Sequence, residues 1–279
     1  MKRAPDIPRL GREKVLEAAK LSNPEARFLV ANYYAAQAQR KRADMQIRHL
    51  GDRELPYVLQ YTADASAVME NQVQRALLHF AENTRVGQWC LSHIGVGPVI
   101  TAGLLAHLDI EKAPTVGHFW RFAGLDPSLR WAKGQKRPYN ADLKQVCWHL
   151  GKCAIRVSGR DDAVYGQLYR ERKALLVARN DRGDFAERAK TFETRSADVK
   201  KILATGKLPA GNIDSQATRF VAKIFLSHLH AVWYFDHFKK PPPKPFATAI
   251  LGHAHEIRVP NSEMFAGFDE AYYGRPKAA

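Results

Sequence analysis

Ile94-Gly-Val-Gly-Pro-Val-Ile-Thr-Ala-Gly-Leu-Leu105 decides how this 279-residue chain is read. Gly95 and Gly97 permit a turn too tight for larger side chains, and Gly97 is expected in the positive-φ region. Pro98 suits the first position of a helix, where its missing N–H costs nothing. A helix that starts there leaves its first N–H groups unpaired, and such groups hold phosphates well. A plain connector between two helices would carry the same glycines. The stretch therefore fixes a turn between helices, and a phosphate is its sharper reading.

Outward from that turn, the pattern stays helical. Toward the N-terminus, residues 25–50 contain no Gly or Pro and follow Asn23-Pro24, a good helix start. Gly51-Asp52 and Pro56 break the run. Val68, Met69, Val73, Ala76, Leu77, Phe80 and Ala81 then stripe a second helix over about 64–93. Residues 1–91 are thus expected to form an N-terminal extension and a long helical coiled-coil arm. Residues 92–279 are expected to form a compact helical domain around the segment quoted above, which matches the helix-hairpin-helix pattern. Its helices are expected over 114–123, 141–157, 161–178 and 218–238, with a charged, solvated excursion over 179–206. Pro241-Pro-Pro-Lys-Pro245 forces an extended strap after the last helix. Without strand alternation or an internal repeat, the fold class reads as all-α.

Charge narrows the function. Lys and Arg number 43 against 28 Asp and Glu, a net charge of +15. Such an excess opposes compaction unless an anion absorbs it, with nucleic acid first and an anionic membrane surface second. No apolar stretch approaches the roughly 18 residues of a membrane span, and the start lacks an apolar secretory core. The three cysteines form no Cys-x-x-Cys pair, which speaks against a disulfide framework and against cysteine-bound zinc. The expectation is a cytoplasmic protein with no membrane contact and no cofactor.

The basic residues concentrate after the turn. Arg130, Lys133, Lys136, Arg137, Lys144, Lys152, Arg156 and Arg160 fill one stretch, interleaved with Trp131 and Tyr139. Lys144, Trp148, Lys152 and Arg156 recur every four residues and share one helical face. Basic groups neutralise phosphates, and aromatic faces stack on bases. A charge run is ordinarily a solvated face, but few acids alternate here. Nucleic-acid contacts are therefore expected from Arg130, Lys133, Lys136, Arg137, Lys144, Lys152 and Arg156, with Tyr139 and Asn140 at the turn. Gly95 and Gly97 are expected as backbone anchors, and Arg219 and Lys223 as outward bases on an otherwise core-like aromatic helix.

Catalytic and metal chemistry find little footing. His228 and His230 lie two apart and face different directions on a helix, so they cannot chelate together. With His237, His253 and His255, they read as ordinary histidines, and no metal is expected. Ser92, Ser128, Ser158 and Ser227 have no evident base partner. Asp161-Asp162 and Asp198 read as caps and surface charges. No phosphate-loop motif of ATP hydrolysis occurs. No catalytic residue is assigned, and the chain reads as a binder rather than an enzyme.

Three stretches carry a resemblance: Ile94-Gly-Val-Gly-Pro-Val99, Phe119-Trp-Arg-Phe-Ala-Gly-Leu-Asp-Pro127 and Lys136-Arg-Pro-Tyr-Asn-Ala-Asp-Leu-Lys144. Together they resemble the C-terminal part of the bridge-RNA-guided insertion-sequence transposases, over roughly residues 60–238. That family places a catalytic serine after an Ala-Gly-Leu-x-Pro turn. Here the matching stretch reads Arg130-Trp-Ala-Lys-Gly134 without a serine, and Ser128 is out of register. The family's RNase-H-like domain has no counterpart in this sequence. The arm-plus-globule plan is also similar to the Nop domain of box C/D ribonucleoproteins. It looks most like the nuclease-free Tas proteins of tandem interspaced guide RNA (TIGR) systems. That resemblance implies a homodimer joined through the arm, a guide RNA and a target DNA recognised without cleavage. The alternatives are a transposase or recombinase of the bridge-RNA type, and an RNA-independent helix-hairpin-helix DNA-binding protein.

Overall fold

The computed structural model describes residues 7–51, 53–244 and 257–274, and every regular element among them is helical. The chain divides into two units, Met1–Ser92 with Val96–Asp109, and His93–Gly95 with Ile110–Ala279.

The first unit holds α1 (Arg12–Leu16), α2 (Asn23–Leu50), α3 (Tyr57–Glu82), α4 (Arg85–Leu91) and α5 (Pro98–His107). Ser22 starts α2: its N–H and its hydroxyl both donate to the Glu25 carboxylate, at 2.7 and 2.6 Å. α2 and α3 lie side by side and antiparallel. Asn83 Nδ2 donates to the Ala19 carbonyl just before α2 at 2.9 Å, and Arg40 Nε donates to Glu70 at 2.7 Å further along. The expected helix over 64–93 is two helices. α3 begins directly after Pro56, and the chain turns at Asn83-Thr84, where the Thr84 hydroxyl accepts from Gly87 N–H at 3.0 Å and caps α4.

α5 is buried from Val99 to His107. A helix that is apolar on all sides belongs inside, and α5 packs against α2, α3 and α4. Arg27 Nη1 donates to the Ala106 carbonyl at 3.2 Å and satisfies a group that the helix end leaves open. The helix expected to open the globule after residue 91 thus packs with the antiparallel pair. The turn before it also corrects an expectation. Gly95 is the left-handed residue, at φ 91°, whereas Gly97 sits at φ −96° with open space where a Cβ would be.

The second unit holds α6 (Val116–Phe122), α7 (Ala141–Arg156), α8 (Val164–Asp181), α9 (Ala186–Lys190), α10 (Ala197–Ala204), α11 (Ala210–Phe238) and α12 (Phe268–Tyr273). α11 is its axis and packs against α6, α7 and α8. Val221, Phe225, Leu226, Leu229 and Val232 of α11 are fully buried, facing a core that includes Leu143, Leu150 and Leu176. α11 starts at Ala210, eight residues before the expected 218, because Pro209 sets its N-terminus despite the glycine that follows. The charged stretch after Ala178 is not a free excursion. Asn180 clamps Leu208 through both backbone groups, at 3.0 and 2.8 Å, and Phe185, Ala189 and Leu208 are buried beneath it. The strap expected from Pro241 lies outside the described residues beyond Lys244.

One contact sets the distance between α7 and α11. A Cβ at Gly151 would stand 2.4 Å from Thr218 Cγ2 and 3.1 Å from the Thr218 carbonyl oxygen. Only a residue without a side chain allows the two backbones so close. Gly151→Val is expected to destabilise the fold by about 1–3 kcal/mol through overpacking. The Gly151→Ala defect is expected to shrink when Thr218→Ser removes the opposing methyl. Denaturant titration checks both, and an unchanged Gly151→Val midpoint would show that the helices do not meet there.

Candidate nucleic-acid interface

Beside the Gly151–Thr218 contact, a cavity of about 160 Å³ opens between α7 and α11. Lys144, Trp148 and Lys152 line it from successive turns of α7, with Cys147 beneath them. Ser215, Thr218, Arg219 and Ala222 line it from α11, and Leu125 closes it from the loop after α6. The spacings on both helices keep these residues on one face. The result is an apolar floor, three cations around it and an indole that is 54% exposed.

The cations are weakly held. Lys144 Nζ sits 4.2 Å from the centre of the Tyr139 ring. Lys152 Nζ stands 5.7 Å from the Trp148 ring centre and 3.6 Å from Asp214. Among the described residues, no carboxylate pairs with Lys144 or Arg219. Partial burial, and then the like charge of Arg188, work against the cationic form of Arg219. The acid near this face is Asp214, which takes the Tyr169 hydroxyl and Lys173 Nζ, the latter at 3.0 Å, besides Lys152. Burial pushes its carboxyl up, but the hydrogen bonds from Tyr169 and Lys173 outweigh this and hold it below the ordinary range. Asp214 is thus a half-buried anion shared between two half-buried lysines. Lys152, at 3.6 Å, is the partner a phosphate can draw away, because Asp214 keeps Tyr169 and Lys173.

The other expected contacts fall elsewhere. Arg130, Lys133, Lys136 and Arg137 are exposed on the loop before α7, where Trp131 Nε1 donates to the Gln135 carbonyl at 2.8 Å and the Arg137 guanidinium lies 5.5 Å from the Trp131 ring centre. Asn140 is a helix cap: its side-chain oxygen accepts from Leu143 N–H at 2.9 Å. Arg156 does not reach the cavity, and its Nη2 lies 3.4 Å from Cys153 Sγ. Lys223 is half-buried with Nζ 4.1 Å from the Trp120 ring centre, and burial lowers its pKa against the pull of Asp126. Gly95 stands against Val157 after α7, and neither it nor Gly97 lines the cavity. The sequence reading gave Trp148 no site role, although its place in the Lys144–Lys152 register was the signal. It missed Asp214 altogether.

The histidines and Ser128 are spoken for. His228 Nε2 donates to the Ile257 carbonyl at 3.0 Å, so its Nδ1 accepts from the Tyr165 hydroxyl at 2.9 Å. His230 Nε2 donates to the Ala113 carbonyl at 2.8 Å. Both are neutral core histidines. His237 lies 3.3 Å from Glu111, while His253 and His255 lie outside the described residues. Among the described residues, no group of three or more His, Cys, Asp or Glu is placed to hold a metal ion, and no helix is long and apolar enough to cross a membrane. The Ser128 hydroxyl donates to Asp126 at 2.7 Å, as does its own N–H at 2.9 Å. These bonds hold the Asp126 carboxyl below the ordinary range and make it a weak base. Compared with models of known protein families, with curated proteins and with solved structures, the chain matches none.

The buried histidines give a pH signature. Burial, and then the neighbouring His228, lower His93 to about 4, and burial lowers His228 to about 4 against the Ile257 carbonyl. Both titrate near 6.5 when unfolded. Below that pH the unfolded chain takes up protons that the folded one refuses. Their contribution to stability is complete above pH 6.5 and is lost as the pH falls toward 4, by about 3 kcal/mol for a shift of that size. Urea titrations across this window are expected to show the decline, and His228→Gln to flatten part of it. A flat profile in the wild type would mean these rings are not held neutral.

Proposed function

We propose that the protein binds a structured guide RNA as a dimeric ribonucleoprotein and directs it to DNA by base pairing, without cutting either strand. The observation that carries this reading is the convergence of Lys144, Lys152 and Arg219 around the exposed Trp148. Cations loosely placed on rings neutralise phosphates, and an open indole face stacks on an unpaired base. An α-helical body with an antiparallel α2–α3 pair agrees with the Nop-like plan of the Tas proteins that the sequence resembles. On that plan α2 and α3 are the coiled-coil arm that joins two copies, Ile94–Leu105 is the helix-hairpin-helix segment, and sequence is read by pairing, as in other guided effectors.

Sequencing the nucleic acid that co-purifies with the protein tests this directly. A discrete short RNA is the expected result. Bulk DNA would favour an RNA-independent DNA binder instead. Metal-dependent cleavage that disappears in Ser128→Ala would favour a transposase-type enzyme. Reversing Lys144 and Arg219 to Glu is expected to weaken binding to that RNA and to flatten the slope of log affinity against log salt by about 1 per lost contact. An unchanged slope would remove this face from the interface.

A further inference from the structure

The cavity between α7 and α11 has the size and chemistry of a smaller ligand than a whole strand. It encloses about 160 Å³, well under the roughly 300–1,000 Å³ of sites that take drug-sized molecules. Its floor is apolar, made by Leu125, Cys147 and Ala222, one wall is the exposed Trp148 ring, and the cations Lys144, Lys152 and Arg219 surround it. A flat, weakly polar group joined directly to an anion fits all three features. In a nucleic acid that unit is one base with its adjoining phosphate. A base inside a duplex is covered on both faces, so only an unpaired one is free to lie on the indole.

We infer that the cavity is a single-nucleotide subsite in which one unpaired base of the bound RNA lies on Trp148 and its flanking phosphate is taken by Lys144 and Arg219. This rests on the RNA-binding reading above and adds to it the unit that is gripped. The lining also defines what the subsite does not read. The Ser215 hydroxyl donates to the Gly211 carbonyl at 2.8 Å and the Thr218 hydroxyl to the Asp214 carbonyl at 2.7 Å, so both protons are used within α11. No hydroxyl donor remains to select a base edge. Stacking tolerates every base, because every base has a π-face. Lys152 completes the subsite when it exchanges Asp214 for phosphate.

The test uses the full chain and fluorescence anisotropy with three probes: a labelled dodecamer of uridine, one of adenosine, and a ribose-phosphate dodecamer with no bases. Trp148→Ala is expected to weaken binding of the uridine oligomer about tenfold, and Trp148→Phe to keep it within about threefold. Wild type is expected to prefer the uridine oligomer to the abasic one by about tenfold, to hold the adenosine oligomer within about threefold of uridine, and to lose the preference over the abasic strand in Trp148→Ala. A Trp that only supports the fold would weaken both strands alike and leave that preference intact. Such a result, with the uridine oligomer still bound by wild type, overturns the subsite and leaves the RNA-binding reading standing. Failure of wild type to bind any of the strands or the co-purified RNA overturns both.

Discussion

Everything in the second unit depends on how closely α7 approaches α11. Helix axes ordinarily lie 8–10 Å apart, at a distance set by the side chains between them. At Gly151 the spacer is absent and Thr218 fills the space, to the point that a single methyl there collides. A mid-helix glycine costs about 1 kcal/mol of helix propensity relative to alanine, so its presence is worthwhile only if the close approach returns more. What it returns is a common cavity for residues on two different helices. One and two turns from the contact, Trp148 and Lys144 share a cavity with Lys152 and Arg219, which directly follow Gly151 and Thr218. With a larger residue at 151, the same cations would stand on two separate faces.

The second constraint is electrostatic. A chain with a net charge of +15 must place its cations where they repel one another least. In this unit they are laid on aromatic rings: Lys144 on Tyr139, Arg137 on Trp131, Lys152 near Trp148 and Lys223 on Trp120. An exposed cation–π contact is worth about 0.5–1 kcal/mol. That is enough to order a long side chain and too little to hold it against a phosphate. Acids cluster differently. Asp184, Glu187 and Asp198 lie on the 181–204 segment and pair with their own neighbours. Asp214 is divided between Lys152 and Lys173, which stand on two other helices.

The helical class and the α7 face were legible from sequence because both are local periodicities. Lys144, Trp148 and Lys152 share a face by spacing alone, and the structure puts all three on one cavity. What spacing does not encode was missed. Trp120 reaches the Lys223 carbonyl across 103 residues, and no pattern in either helix announces it. Asp214 reads as an ordinary surface acid until α8 and α7 bring Tyr169, Lys173 and Lys152 to it. A cap at Thr84 split an expected single helix, and Asn140, expected as a contact, also caps α7 through its side-chain oxygen. The left-handed position fell at Gly95 rather than Gly97, since either glycine permits the turn and only the packed chain chooses between them.

A site of this form also constrains how any sequence preference could arise. The cavity is too small for a base pair, and its hydroxyls are turned to their own helix. Cations and one indole grip a strand with little regard to which bases it carries. Direct readout in a major groove needs bidentate side chains aimed at base edges, and Lys144 and Lys152 lie by rings instead. Under the proposed reading the protein therefore fixes the position of an RNA while leaving its other bases free to pair. Discrimination between targets then resides in the pairing energy of the RNA, and the protein's own chemistry sets affinity and salt dependence.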